Sequence, residues 1–239
     1  QPETVYNMTT QRENILDHVW RVIITLGIKS VRMDDVANMM GISKRTLYEM
    51  FGDKEELLYE SIVHHREKMH RVLKERADVC DNVLEMVLIC FLEIFSRWDM
   101  SEWRLMNNMK KFYPKIYERV TKTFTEQGLA GLKSILIESR KEGYLAGNVD
   151  IELVTMVFFQ TSAMFMREYN IMLPEGVTRE DAYGCMAVNF LRGVSSLKGI
   201  KIIDEILSRD EYRYIRSQRL IDIMNGREPG STTAAAAET

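Results

Sequence analysis

The sequence predicts an all-α protein, with a small N-terminal helical domain followed by a larger helical one. Three observations carry that expectation. Apolar residues recur at spacings of three and four along most of the chain. Helix-start signals recur, while runs of alternating β-branched residues are scarce and there are four prolines in 239 residues. The texture also changes near residue 78, from short capped segments to longer, more apolar ones.

The elements follow in order. Thr10-Gln11-Arg12-Glu13 reads as a capping box that opens a first helix. Its apolar face is Ile15, Leu16, Val19, Ile23 and Leu26, and Gly27 suits its C-terminal cap. A second helix covers Met33 to Met40 and Gly41 stops it. A third covers Lys44 to Met50, with Ser43 as N-cap. Asp53 to Glu56 opens a long fourth helix, whose apolar stripe runs from Leu57 and Leu58 through Ile62 to Val72. Beyond it, residues 81–98 form an apolar helix, and Ser101 begins a short segment with Trp103, Leu105 and Met106. Pro114 starts the next helix, which runs to about Gly143. Asn148 or Asp150 caps another, to about Tyr169, before a Pro174-Glu175-Gly176 loop. Thr178 caps a helix to about Leu197, and residues 200–215 form one more amphipathic helix, an appendage. The domains expected are residues 9–59, residues 60–216, and a flexible tail at 217–239.

Composition narrows the function. With 46% hydrophobic and 28% charged residues, this is an ordinary globular composition. The net charge of −3 implies no general attraction to nucleic acid, so any such binding needs a local patch. No apolar run reaches the length of a membrane span and no secretion signal opens the chain, so a cytoplasmic protein without a membrane partner is expected. Cys80, Cys90 and Cys185 are odd in number, far apart and without metal-ligand spacing, so they are expected to be buried reduced thiols. No nucleophile elbow, phosphate loop or zinc pattern is present, so neither an enzyme nor a cofactor is expected. His64, His65 and His70 are expected on the surface, since their spacing does not suit a metal pair.

The second and third helices form a helix-turn-helix. Ala37 is small enough for the helices to cross closely, and Gly41 supplies the left-handed turn. Val36, Met40, Ile42, Leu47 and Phe51 pin the pair inward. Lys44, Arg45, Thr46 and Tyr48 are left outside, at the end where such a helix meets base edges and phosphates. Lys54 heads the following helix and suits a phosphate. Residues 1–60 nevertheless hold seven Lys/Arg against ten Asp/Glu, so each subunit can meet few phosphates and a pair of subunits is favoured.

The stretch MDDVANMMGISKRTLYEMFGDKEELL, Met33 to Leu58, resembles the N-terminal domain of TetR-family transcriptional regulators. That resemblance implies a three-helix DNA-binding domain, a larger helical ligand-binding domain and a homodimer on a palindromic duplex operator. It assigns recognition-helix DNA contacts to Lys44, Arg45, Thr46 and Tyr48 and a phosphate to Lys54, and Ser43 at the start of that helix is a further candidate contact. Where the family usually has a threonine before the second helix, this chain has Arg32, a candidate for a longer phosphate contact.

The larger half holds most of the aromatic residues. Phe91, Phe95, Trp98, Trp103, Met106, Phe112, Tyr113, Phe159 and Phe165 are candidates to line a pocket for an apolar or amphipathic small-molecule effector of unknown identity. The helix opening near Asp150 is apolar nearly all round, so it must be covered on two sides. With the helix after Thr178 it offers a dimer interface of Val154, Val157, Phe158, Thr161, Met186, Phe190, Val194 and Leu197. The function expected is that of a ligand-responsive repressor. The alternatives are a nucleoid-associated or division-linked factor of the same fold, or a helical carrier of apolar ligands whose helix-turn-helix is vestigial.

Overall fold

The computed structural model describes residues 2–77, 80–88, 100–167, 172–175 and 177–209. Its helices are α1 (Pro2–Leu26), a 3-10 turn (Ile28–Ser30), α2 (Met33–Met39), α3 (Lys44–Phe51), α4 (Lys54–Ala77), α5 (Met100–Phe112), α6 (Pro114–Lys141), α7 (Ile151–Arg167), α8 (Arg179–Val194) and α9 (Leu197–Ser208). Residues 83–88 are helical as well. The only extended pairing among the described residues is one isolated antiparallel bridge, Leu145 with Ser195.

The chain forms two compact units, residues 1–78 with 98–127, and residues 79–97 with 128–239. The division falls elsewhere than the expected boundary at residues 59 and 60. The N-terminal helices alone have too few apolar faces to close a core. α4, α5 and the first half of α6 complete it with Leu57, Leu58, Ile62, Leu105, Met109, Ile116 and Val120.

In the first unit, Ile15, Leu16, Val19 and Ile23 of α1 are buried as expected, but Leu26 is 70% exposed. The helix also begins earlier than the capping box suggested. Pro2 suits a first helical turn, where its missing N–H would have no partner anyway. No Gly or further Pro interrupts residues 3–9, so Thr10 lies inside the helix. Arg12 ties α1 to α3 and α4. Its guanidinium donates to the Met50 carbonyl (2.7 Å), pairs with Glu60 and stacks 4.3 Å from the Phe51 ring centre. The buried Ser61 hydroxyl donates to the Leu16 carbonyl at 2.7 Å, which fixes α4 on α1.

The second unit has its own core. Val83, Leu84, Val87 and Leu88 join Leu132 and Leu136 of α6 with the inner faces of α7, α8 and α9. α9 is no appendage, since Ile203, Ile206 and Leu207 are buried. Ser196 caps it, and the Ser196 hydroxyl also donates to the Gly143 carbonyl at 2.8 Å. Gly199 is required there, because a Cβ would stand 2.2 Å from the Tyr144 carbonyl oxygen. Two serines thus interrupt the helix expected to run to Leu197, which instead opens α9. Asp150, rather than Asn148, caps α7 by accepting from the Leu153 N–H at 3.1 Å. The expected segments at residues 89–99, 168–171 and 210–239 lie outside the described residues.

Candidate nucleic-acid interface

The turn between α2 and α3 is built from backbone hydrogen bonds. Met40 caps α2 and Gly41 follows at φ +64°. Gly41 N–H donates to Asn38 (3.2 Å) and Ile42 N–H to Ala37 (3.0 Å). This pair of bonds is a Schellman motif, which satisfies the last carbonyls of α2 and requires a left-handed residue at Gly41. Ile42 then turns inward and the chain enters α3.

Ser43 starts α3. Its hydroxyl accepts from the Thr46 N–H at 3.0 Å and shares a hydrogen bond with the Thr46 hydroxyl at 2.8 Å. Leu47 and Phe51 are buried one turn apart and anchor the helix. The opposite face presents Lys44, Arg45, Tyr48 and Glu49 to solvent. Asp53 repeats the device for α4 by accepting from the Glu56 N–H at 2.8 Å. The structure therefore brings Ser43, Lys44, Arg45, Thr46 and Tyr48 together on one short helix, with Lys54 opening the next. Arg32 holds the N-cap position of α2, exposed and without a side-chain capping bond, while Asp34 and Asp35 fill the first turn.

The charges on α3 are neutralised locally. The Lys44 ammonium lies 2.7 Å from Asp34, and Arg45 lies 2.8 Å from Glu49 one turn along. The hydrogen bond that the Lys44 ammonium donates to Asp34 pushes the Lys44 pKa above its ordinary value, so that side chain stays charged. Both pairs are exposed, Arg45 with 88% of its side chain accessible, so exchange of a carboxylate for a phosphate costs little. Sequence reading did not anticipate that Asp34 and Glu49 pair with these two cations. The signal was present in the spacing of four between Arg45 and Glu49.

The expected pocket residues within the described part of the chain divide between the two units. Phe91, Phe95 and Trp98 lie outside the described residues. Trp103 is half-buried in α5. Met106 and Tyr113 pack against the core of the first unit. Phe112 is 40% exposed and carries two lysines, Lys29 at 4.0 Å and Lys111 at 5.2 Å from the ring centre. Phe165 belongs to the core of the second unit, where it meets Tyr183 edge-on at 5.7 Å. Phe159 lies against Gly128 so closely that a Cβ there would sit 2.6 Å from the ring. A cleft of about 150 Å³ does open in the first unit, between the end of α1 and α5. It is bordered by Ile23, Leu26, Gly27, Arg104, Leu105 and Asn108, and by none of the expected pocket residues.

The expected interface on α7 is out of register. Phe158 and Val194 are buried in the core of their own unit, and Phe158 packs on Phe190 at 4.8 Å. Val154, Met186 and Phe190 are half-buried against the same core. Val157 and Leu197 are exposed, and the half-buried Thr161 donates its hydroxyl to the Val157 carbonyl. The exposed stripe of α7 is Leu153, Met156, Val157 and Met164, with Leu153 at 60%. Its buried stripe is Ile151, Thr155, Phe158, Ser162 and Phe165.

Among the described residues, no group of three or more His, Cys, Asp or Glu could hold a metal ion. Cys80 and Cys185 are half-buried rather than fully buried, and Cys90 lies outside the described residues. His65 is not a plain surface residue. It stacks on Trp20 at 3.9 Å, and burial pushes its pKa down to about 4. No described helix is long and apolar enough to cross a membrane.

The geometry has counterparts in known proteins. Residues 15–60 match the family described as bacterial regulatory proteins, tetR family. An uncharacterized HTH-type transcriptional regulator of Bacillus subtilis (strain 168), YvaF, is 29% identical over 104 residues. That alignment covers 42% of this chain and about half of YvaF, 53% of its length. The fatty acid degradation regulator FadR from Bacillus halodurans superposes with a TM-score of 0.57 at 17% identity, over 77% of this chain and 95% of that one. A transcriptional regulator, TetR family, from Cytophaga hutchinsonii gives a TM-score of 0.57 at 13% identity, over 78% and 95%. At these identities the two superpositions establish a shared fold.

Proposed function

We propose a mode of action for a chain that belongs, by its N-terminal domain, to the tetR family of bacterial regulatory proteins: it is a homodimeric, ligand-responsive repressor that binds a palindromic operator. The observation that carries this reading is α3. Its N-cap, its two buried anchors and its outward Lys44, Arg45 and Tyr48 suit a recognition helix. Lys44 and Arg45 exchange Asp34 and Glu49 for the duplex, Thr46 and Tyr48 meet the backbone or bases beside them, and Lys54 and Arg32 hold flanking phosphates.

The partner subunit covers α7. Two of the helix's polar residues, Thr155 and Ser162, point inward, where Thr155 donates to the Ile151 carbonyl and Ser162 accepts from the Tyr183 hydroxyl, while Glu152 and Gln160 face outward. Its apolar residues Leu153, Met156, Val157 and Met164 point outward. Burial of that stripe against its copy supports the homodimer. Two recognition helices then enter major grooves about 34–36 Å apart, or a multiple of that.

An apolar or amphipathic effector bound by the larger half of the chain shifts the dimer toward a spacing that no longer fits the operator. Coupling of this kind is about 1–3 kcal/mol, or roughly 5–150-fold in affinity. The reading is tested by fluorescence anisotropy on DNA from upstream of the protein's own gene beside a scrambled duplex. Preferential binding that Lys44→Ala/Arg45→Ala loses supports it. Equal, weak binding to both duplexes counts against a sequence-specific repressor of its own promoter.

A further inference from the structure

The helix-turn-helix is short of free positive charge. Residues 1–60 are net acidic, and both cations of α3 already have carboxylate partners. Sequence-independent affinity for DNA comes from cations that meet phosphates. The first unit supplies such cations from an unexpected place, the junction of α5 and α6.

Residues 103–117 hold Arg104, Lys110, Lys111 and Lys115 without one Asp or Glu. Lys110 and Lys111 close α5, Lys115 lies in the first turn of α6, and all three are exposed. The aromatic pair between them ties this junction to the helix-turn-helix. Lys29, in the turn before α2, stands 4.0 Å from the Phe112 ring centre, and Lys111 stands 5.2 Å from the same centre. Lys54, at the start of α4, is 5.9 Å from the neighbouring Tyr113 ring. None of these five lysines forms an ion pair among the described residues, in contrast to Lys44 and Arg45.

Two ammonium groups over one exposed ring repel each other, and among the described residues neither has a carboxylate within ion-pair distance. Cation–π attraction to Phe112 holds them in place. A row of phosphates removes the repulsion. A DNA backbone suits this site, because Lys54 and Lys29 flank the two helices that form the helix-turn-helix. We propose that the α5–α6 junction is a second DNA-backbone contact. Lys110, Lys111 and Lys115, with Lys29 across Phe112, hold phosphates flanking the base pairs that α3 reads. The proposal rests on the regulator reading above and adds a phosphate-binding surface outside the helix-turn-helix to it.

The test is the salt dependence of binding to a random-sequence duplex of about 40 base pairs, which needs no operator, between about 50 and 200 mM salt. The full-length proteins compared are the wild type, Lys110→Gln/Lys111→Gln, Lys110→Arg/Lys111→Arg, and Lys44→Ala/Arg45→Ala. In the glutamine variant the slope of log K against log salt should become shallower by about 1 for each phosphate that a lysine no longer neutralises. Affinity at about 0.1 M salt should then fall roughly eightfold for each such phosphate, while the arginine variant keeps the wild-type slope. An unchanged slope in the glutamine variant, with weakened binding in the α3 variant, overturns the second DNA-binding surface and leaves the regulator reading intact. Failure of the wild type to bind any duplex overturns both. Wild-type binding to phosphatidylserine vesicles that the glutamine variant loses, with DNA binding unchanged, assigns the patch to a membrane surface and also overturns the proposal.

Discussion

Helix α3 turns only charged and polar residues outward, whereas α7 also carries an apolar stripe on its outer side. α3 buries Leu47 and Phe51 and exposes Lys44, Arg45, Tyr48 and Glu49, as an amphipathic helix should. α7 buries Thr155 and Ser162 and exposes Leu153, Met156, Val157 and Met164. The first helix is complete in water, and its exposed ion pairs are weak enough to give way to another anion. The second leaves apolar area in water, which favours its burial against another surface. One surface is thus suited to reversible contact and the other to a lasting one.

The contrast breaks most severely if the α7 stripe is charged. Val157→Glu/Met164→Glu should leave each subunit folded but monomeric by sedimentation. Affinity for a palindromic duplex should fall by about 10²–10⁴-fold, because the second recognition helix no longer binds as part of the same molecule. A variant that stays dimeric would mean that another surface joins the subunits. On the opposite side of the same helix, Phe158→Ala should cost about 3–5 kcal/mol in urea unfolding, because Phe158 is buried against Phe190. Met156→Ala in the monomeric background should cost far less, because Met156 is exposed. Equal costs would contradict the assignment of the two faces.

On α3 the expected effects are smaller. Glu49→Gln removes a negative charge from the recognition surface and releases Arg45. The ion pair it removes is worth at most about 1 kcal/mol of stability, since both side chains are exposed. Anisotropy should show several-fold tighter binding to a random duplex. Weaker binding to one defined duplex would instead mean that Glu49 accepts a hydrogen bond from a cytosine amino group.

The two helices were not equally legible in the sequence. The α2–α3 turn was readable because its causes are local. Gly41 is the left-handed residue, Ser43 is the cap, and Leu47 and Phe51 lie one turn apart. α7 is apolar nearly all round, so its periodicity gives no phase. Distant contacts set it, namely Phe159 against Gly128, Phe158 against Phe190 and Tyr183 on Ser162. The expected interface therefore included the buried Phe158 and omitted the exposed Leu153, Met156 and Met164. Thr10 misled for a related reason, since Ser/Thr-x-x-Glu marks a helix start only where the chain before it is not helical. The role of Arg12 was invisible, because its partners Met50 and Glu60 lie 38 and 48 residues away.

Acid sharpens the comparison last and least, because it acts on only one side of it. All four histidines lie between residues 18 and 70, in the first unit, and α7 and its core contain none. Burial holds His65 neutral on Trp20, with a folded pKa of about 4 against an ordinary 6.5. As the pH falls from 6.5 to about 4, the unfolded chain takes up a proton that the folded chain refuses, so stability declines across that window and levels off below it. His18 and His70 are also lowered by burial and add loss of the same sign. Asp17, whose carboxyl Lys68 and His64 hold below its ordinary 3.8 despite partial burial, loses its contribution only at lower pH. The urea midpoint of the first unit should therefore fall between pH 7 and 4. His65→Phe, which keeps the stack on Trp20, should flatten part of that fall. An unchanged slope in the phenylalanine variant would show that His65 titrates normally and that the stack does not keep it neutral.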